Sequence, residues 1–512
     1  MIRLLRFQAR AAAALLALVI GTALASPADT FETTLPNGLK IIVKEDHRAP
    51  TIAHMVWYRA GSMDESYGTT GVAHLLEHMM FKGTRAVPAG EFSRRVAAAG
   101  GRENAFTNRD YTAYFQQVHK SKLELVMSLE SDRMHNLNLT DAEFAKEIKV
   151  VMEERRWRTD DQPRALLNEA HTAVAFEASP YRHPVVGWMR DLESMTGADA
   201  RKWYNTWYAP NNAVLIVIGD VDTKQVLALA NKYYGGIASK KLPERKPQDE
   251  PQQTGIKRVN VKAPAELPFV TLGWHVPKLN DIEKDSDPYA LEVLAGVLDG
   301  HEGARITKDL IREQRIAHEA GAGYDSTSRG PALFSLEGTP ADGKSVVDLE
   351  AALRGEVKKI ADGGVTEAEL RRVKAQLISS QVFKRDSIFG QAMEIAQYEM
   401  SGLSHKQIDR VIEKLRGVSA EQVQAVAKKI FRRRYPDGGD PDPATDYRQA
   451  PRAAQGNAGR IVMPARAAAD FYQQVASYAC RGWICMDLPA RIVSEPDNFT
   501  QLTATNKPPG GE

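Results

Sequence analysis

Two histidines and a glutamate lie within five residues of one another, at His74, Glu77 and His78. Apolar residues fill nearly every neighbouring position, which predicts a mostly buried helix with Thr69 or Thr70 as its N-cap. Because residues four apart share one face of a helix, the two imidazoles can hold one metal ion between them, and zinc favours this arrangement. Glu77 can face the same ion without binding it, which suits a general base that acts on metal-bound water.

A catalytic zinc usually takes three protein ligands, so a third ligand should lie elsewhere in the chain. Glu154 falls 76 residues after His78, in a segment with a strong helical pattern, and Glu147 lies seven residues before Glu154. Seven residues make two helical turns, so the two carboxylates share one face. Taken alone, a glutamate on a helix this rich in Arg and Lys is more often a solvated charge, and the spacing leaves the third ligand open.

The order H-x-x-E-H, with a glutamate 76 residues later, resembles the pitrilysin, insulinase and mitochondrial-processing-peptidase family of zinc peptidases, in its exported bacterial form. The resemblance covers roughly residues 30 to 430 and includes three further stretches, Gly101–Thr107, Trp207–Ala213 and Gly219–Asp220. It implies that His74, His78 and Glu154 bind one Zn2+ per chain and that Glu77 is the general base. It also implies that Glu147 supports the site without binding the metal.

The same resemblance points to a substrate-binding strand. Asn104, Ala105, Phe106 and Thr107 resemble the edge strand of the family, onto which a substrate peptide adds as a further strand. Because main-chain pairing is largely independent of sequence, broad specificity for peptides or unfolded segments is expected.

One region departs from the family pattern. Active members often carry an Arg and a Tyr in the second half that reach the substrate. Here Arg312 is an approximate match for the Arg, and His318 stands where the Tyr is expected. Either His318 makes the hydrogen bond to the substrate that the Tyr would make, or a partner chain supplies the missing residues.

The N-terminus has the pattern of a signal peptide over residues 1–25. A basic start precedes an apolar core at residues 11–20, and Ala23-Leu-Ala25 gives a cleavage pattern of small residues. We therefore expect a periplasmic or secreted protein. The alternative is a mitochondrial transit peptide and a matrix location, because no acidic residue precedes Asp29. No later stretch is apolar enough to predict a membrane span, and a formal net charge of +2 gives no reason to expect nucleic-acid binding.

The order of predicted elements repeats along the chain and predicts an α+β fold. We expect two related halves that form a clamshell, each with an antiparallel-rich sheet packed with helices. The predicted segments are a catalytic zinc-binding domain at 30–239, a linker at 240–255, a second domain without the metal motif at 256–434, and an irregular tail at 435–512. If the tail supplied a strand, residues 460–463 would be the candidate; otherwise a chain ending near Arg434 should fold.

Together these features predict a zinc metalloendopeptidase that hydrolyses peptides or unfolded protein segments, with Glu77 as general base. A non-catalytic partner subunit of a peptidase pair and a mitochondrial presequence-processing subunit stay open as alternatives, although a non-catalytic subunit has no need of the ligands. The expected partners are peptide substrates and either a second copy of the chain or a related inactive subunit.

Overall fold

A six-stranded sheet carries the first half of the chain. In the computed structural model, which describes residues 30–431 and 445–450, its strands stand in the order β1-β2-β6-β3-β5-β4. They are Phe31–Thr34 (β1), Lys40–Glu45 (β2), Thr51–Tyr58 (β3), Arg102–Thr107 (β4), Thr112–His119 (β5) and Ala213–Gly219 (β6). Only β2 and β6 run parallel; the other neighbours are antiparallel. Strand β4 pairs only with β5 among the described residues and so forms an edge of the sheet.

Eight α-helices accompany this sheet in the chain order of the first half. They are Val72–Met79 (α1), Glu91–Ala98 (α2), Leu123–Asn136 (α3), Asp141–Arg155 (α4), Pro163–Ala175 (α5), Met189–Ser194 (α6), Gly197–Trp207 (α7) and Thr223–Tyr234 (α8). The segment Arg156–Asp160, which follows α4 directly, continues as a wider π-helical turn. Such turns are frequent at functional sites.

The central strands of the first sheet are buried on both faces. In β3, Val56 and Tyr58 pack into a core shared with α1, whereas Met55 and Trp57 join a core shared with the second half. The side chains of β6 alternate between the same two cores, and the strand is buried along its whole length. A strand with both faces covered should read as a continuous apolar run, and the sequence of β6 does so.

A five-stranded sheet carries the second half, in the order β7-β11-β8-β10-β9. Its strands are Lys257–Lys262 (β7), Val270–Val276 (β8), Ala317–Tyr324 (β9), Ala332–Pro340 (β10) and Thr445–Ala450 (β11). Its α-helices are Asp287–Asp299 (α9), Val346–Gly363 (α10), Glu367–Lys384 (α11), Ile388–Ser401 (α12), Ile408–Gly417 (α13) and Ala420–Phe431 (α14). Residues Ile306–Glu313 form a π-helix.

The two sheets correspond strand by strand. The order β2-β6-β3-β5-β4 matches β7-β11-β8-β10-β9, and β11 runs parallel to β7 and antiparallel to β8, as β6 does to β2 and β3. The α+β class and the two related halves are therefore confirmed. Residues 240–255 contain no helix or strand. Within residues 30–431, no helix is long and apolar enough to cross a membrane.

The expectation of an irregular tail from residue 435 is corrected for residues 445–450, which form β11 in the interior of the second sheet. Backbone pairing on both sides holds this strand, and such pairing is compatible with its polar sequence Thr-Asp-Tyr-Arg-Gln-Ala. The remaining tail, including residues 460–463, and the predicted signal peptide at 1–25 lie outside the described residues.

In each half, one helix packs on the sheet of the other half. Helix α12 of the second half packs on β3 and β6, and α5 of the first half packs on β7, β8 and β11. The halves are therefore joined through their sheet faces, and neither sheet is covered by its own half alone.

The correction changes what truncation should do. A chain ending at Arg434 lacks β11 and leaves β7 and β8 without their shared neighbour, so its melting temperature should fall by on the order of 10 °C, or it should aggregate. A chain ending at Arg452, the limit of the unit that contains all described residues, should melt like the full chain. Thermal melting of the three chains side by side measures this, and equal melting of the 434 chain would contradict a structural role for β11.

Candidate metal centre

The start of helix α1 differs from the expected Thr cap. Gly71 is the N-cap, with a left-handed φ of 88°, and a Cβ added there would lie 2.5 Å from the carbonyl oxygen of Val186. Thr70 instead donates its hydroxyl to Asp191 Oδ2 at 2.6 Å and accepts the backbone N–H of Trp188 at 3.0 Å. Close packing of two backbones therefore fixes where α1 begins, and the N-cap residue itself provides no side-chain acceptor.

Glu65 supplies the acceptors that the helix start needs. Its buried carboxylate accepts the backbone N–H groups of Gly71 and Ala73, each at 2.8 Å. Burial raises the pKa of Glu65 well above its usual range, and the two backbone N–H bonds oppose this shift. The sequence analysis missed Glu65 because it stands six residues before Gly71, outside the range in which a capping side chain is sought.

Helices α1 and α4 bring the three predicted ligands together. The Nε2 atom of His78 lies 3.2 Å from one carboxylate oxygen of Glu154, and Nε2 of His74 lies 3.7 Å from the other. One ligand atom from each of the three residues falls within 4.8 Å of the other two. Ligands about 2.1 Å from a tetrahedral zinc are roughly 3.4 Å apart, so two imidazoles and a carboxylate in this arrangement fit zinc.

Glu147 lies two turns before Glu154 on α4 and reaches the opposite nitrogen of the same imidazole. Its Oε2 atom is 3.4 Å from His78 Nδ1, and its Oε1 atom is 2.6 Å from Lys82 Nζ. A carboxylate on the second nitrogen of a metal-binding histidine orients the ring and makes it a stronger ligand. The structure thus places Glu147 where the sequence analysis predicted support without metal binding.

The charges of this cluster favour a cation. Burial lowers the pKa of His74 to about 4. Burial acts the same way on His78, but hydrogen bonds to Glu147 and Glu154 prevail and raise its pKa to about 9. Burial alone would raise the pKa of Glu154, yet the two histidines and Arg158 hold it at about 2. A positive charge between His78 and the carboxylates is therefore favoured, and a divalent metal ion would supply it.

Glu77 lies beside the ligand group and is held by the predicted substrate strand. The hydroxyl of Thr107, the last residue of β4, donates to Glu77 Oε2 at 2.5 Å, and both side chains are buried. The sequence analysis placed Thr107 among the residues that bind substrate; the structure adds a contact with the predicted base. Asn104, Ala105 and Phe106 precede it on the same edge strand.

Arg312 and His318 are not brought to this cluster. Arg312 is paired with Glu302, and His318 Nε2 lies 3.1 Å from Asp342 Oδ1. All four residues belong to the second half. Both side chains are largely exposed, so their predicted substrate contacts stay predictions.

Arg155, next to Glu154, ties α4 to the segment that fixes α1. Its guanidinium donates to both carboxylate oxygens of Glu169 on α5 and to the carbonyl oxygen of Gly187, each at 2.8 Å. The backbone of Gly187 packs directly against Thr70 and Gly71. The start of α1 and the end of α4 are therefore held by one set of contacts, which sets the spacing of the ligands.

A second group with ligand-like residues, Glu32, Glu399 and His405, does not form a comparable site. The ammonium of Lys40 already lies 2.7 Å from Glu399 and 3.2 Å from Glu32. The partly buried Lys40 supplies the positive charge that these carboxylates need, so the group is a structural ion cluster.

Two family models match the chain. The model described as insulinase (peptidase family M16) matches residues 40–187, and the model described as the peptidase M16 inactive domain matches residues 194–377. The first match contains all of His74, Glu77, His78 and Glu154. The second match covers most of the half without the metal motif.

Named relatives and solved structures extend these matches. Zinc protease PqqE of Helicobacter pylori is 32% identical over 384 residues, which cover 73% of this chain and 85% of that protein. An uncharacterized zinc protease of Mycobacterium leprae is 28% identical over 422 residues, which cover 80% of this chain and 91% of that protein.

Among solved structures, the crystal structure of a protease from Helicobacter pylori superposes with a TM-score of 0.77 at 27% identity and covers 83% of this chain and 100% of that one. The first half of the periplasmic protease PqqL from Escherichia coli shares the fold, with a TM-score of 0.65 at 20% identity over 83% of this chain and 92% of that one. With both family models matched in order and a relative at this identity, the chain belongs to peptidase family M16, the insulinase family.

Proposed function

We propose that this chain is a zinc-dependent endopeptidase that hydrolyses peptides or unfolded protein segments. The observation that carries the proposal is the meeting of His74, His78 and Glu154 beside the buried carboxylate of Glu77. The relatives named zinc proteases support the same chemistry. A non-catalytic subunit would not need a general base beside three ligands.

The residues divide the reaction between them. When bound, zinc polarises the scissile carbonyl and lowers the pKa of a water molecule. Glu77 accepts the proton of the attacking water and passes it to the leaving amine. The hydroxyl of Thr107 donates to one carboxylate oxygen of Glu77 at 2.5 Å, and this hydrogen bond orients the carboxylate for the proton transfer.

Strand β4 provides the docking edge. Its inner side pairs with β5, and the opposite backbone edge has no strand partner among the described residues. A substrate segment that adds there is held mainly through its main chain, from Asn104 to Thr107, and must be extended. This explains why unfolded segments and peptides suit the site, whereas folded proteins do not.

We also propose that the protein is exported to the periplasm or secreted. The support is the pattern of residues 1–25 and the description of the structural relative PqqL as periplasmic. If cleavage follows Ala25, N-terminal sequencing of the mature protein from its native cells should begin at Ser26. An N-terminus at Met1, or cleavage typical of a matrix protein, would contradict export.

The test of the function is peptide hydrolysis by the purified chain. An unstructured reporter peptide should be cleaved internally, and a chelator should abolish cleavage until zinc is added back. Glu77→Gln should keep its zinc, because Glu77 is outside the ligand group, and lose at least about a hundredfold in kcat.

Glu153→Gln is the matched control for this variant. It makes the same substitution on α4 at a side chain that is 72% exposed, and it should keep both zinc and activity. Cleavage that resists the chelator, or a Glu77→Gln variant within about tenfold of the parent, would exclude the proposed mechanism. A zinc-loaded parent chain that cleaves nothing would favour the non-catalytic alternative.

The ligand assignment is tested by metal content. Glu154→Gln should reduce bound zinc to less than about a tenth of the parent value, because an amide oxygen is a poor replacement for a carboxylate ligand. Glu147→Gln should still bind zinc, with an affinity lowered by about 10- to 100-fold. Full zinc occupancy in Glu154→Gln at low free zinc would show that another residue is the third ligand.

A further inference from the structure

The turns that close two corresponding hairpins contact each other across the two halves. Residues 108–111 join β4 to β5, and residues 325–331 join β9 to β10. Arg329 in the second turn donates its backbone N–H to Asp110 Oδ2 at 3.0 Å and its guanidinium to the carbonyl oxygen of Asp110 at 2.6 Å. Next to it, the N–H of Gly330 donates to the hydroxyl of Tyr181 at 2.9 Å.

The guanidinium of Arg329 makes a second attachment. It donates to both carboxylate oxygens of Asp64, at 3.0 and 3.2 Å, and the side chain of Asp64 is only 4% exposed. Asp64 also accepts from Arg245 Nε at 2.7 Å and from the backbone N–H of Gly61 at 3.1 Å. A bidentate ion pair of this kind fixes the relative orientation of the two side chains as well as the distance between them.

Asp64 belongs to a short turn that forms backbone hydrogen bonds with the same hairpin. The N–H groups of Ser62 and Met63 donate to the carbonyl oxygens of Asn108 and Arg109 at 3.1 and 2.9 Å. A Cβ added at Gly61 would lie 2.5 Å from both of those oxygens, so only glycine fits there. Arg329 therefore holds the β4–β5 turn directly, through Asp110, and indirectly, through the Asp64 turn.

The position of this turn determines the position of β4. Within the part of the chain that the structure describes, strand β4 has a single strand neighbour, and its last residue, Thr107, comes directly before the turn and donates a hydrogen bond to Glu77. An edge strand with one ladder is easily displaced at its end unless something else anchors it. A displaced end would move both the docking edge for the peptide and the hydroxyl that orients Glu77.

We infer that Arg329, a residue of the half without metal ligands, is a positioning residue for the peptide-binding strand β4 and for the Thr107–Glu77 contact. The inference rests on the proposed function, because it assigns this role to the peptide-docking edge of that site. Arg329 acts through Asp64 and Asp110 and does not touch the metal ligands.

Two readouts test the inference. Arg329→Ala should accelerate hydrogen exchange at the β4 amides that pair with β5 by at least about tenfold and leave exchange within α1 unchanged. It should also lower kcat/KM by about tenfold or more, with zinc content unchanged, because small misplacements of a reacting geometry are costly. Binding of an uncleaved reporter peptide to the Glu77→Gln form should weaken in parallel.

Lys40→Met is the matched control. It removes another ion pair between the halves, the 2.7 Å contact of Lys40 with Glu399, but on β2, with three strands between it and β4. Its hydrogen exchange in β4 and its KM should equal those of the parent chain. Arg329→Lys keeps the charge but cannot bridge both carboxylate oxygens, so its β4 hydrogen exchange and its kcat/KM should lie between those of the parent chain and those of Arg329→Ala. If Arg329→Ala does not fold, Arg329→Lys is the variant that tests the inference.

The outcomes separate this inference from the proposed function. If the parent chain cleaves peptides but Arg329→Ala and Arg329→Lys behave like Lys40→Met, the positioning role is refuted and the function stands. If the parent chain binds zinc but cleaves nothing, the function fails, and hydrogen exchange in β4 still decides whether Arg329 anchors the strand. Equal acceleration of exchange in β4 and α1 would show general destabilisation and would also refute the inference.

Discussion

The packing of α1 against α4 places two imidazoles and two carboxylates in one largely buried region. Groups of this kind are costly to bury unless they are paired or hold a cation. His78 is the centre of the arrangement, because each of its ring nitrogens faces a different carboxylate, Glu147 on one side and Glu154 on the other. The geometry that suits zinc therefore depends on a helix-to-helix distance, and the surrounding contacts serve to fix that distance.

Three separate segments share this task. Glu65 holds the first N–H groups of α1, the close approach of Gly71 and Gly187 sets where the helix begins, and Arg155 joins the end of α4 to the same Gly187. None of these residues would be a metal ligand or a base. Their substitution would act on the site through the positions of helices, which is why the ligand spacing cannot be understood from the ligands alone.

Much of this organisation could be predicted from the sequence because periodic patterns reflect burial. The apolar run of β6 and the helical spacing of the ligand residues indicated their elements correctly. Glu130 and Arg133 show the limit. Three residues apart on α3, they have the pattern of a surface ion pair, yet both are fully buried, and Arg133 lies 4.4 Å over the ring of Tyr114. Composition does not reveal such burial, since the aromatic surroundings come from distant parts of the chain.

Strand β11 shows a different limit. It follows a segment rich in Pro, Gly and charge, and its own sequence has little apolar content. Side-chain patterns predict strands that bury a face, whereas β11 is recognised by backbone pairing with β7 and β8, which the sequence does not display. Only the comparison of the two sheets makes its place intelligible, because β6 occupies the same position in the first half.

The burial of the first sheet explains why a half without metal ligands is needed. One face of β3 and β6 packs on the helices of the metal centre, and the other face, with Met55, Trp57 and Ile216, packs into a core formed with the second half. Without the second half, this second face would be a large exposed apolar surface, which soluble domains avoid. The strands that support α1 on one side are thus supported on the other by α12. The half that lacks the ligand residues therefore completes the core on which the candidate metal centre rests.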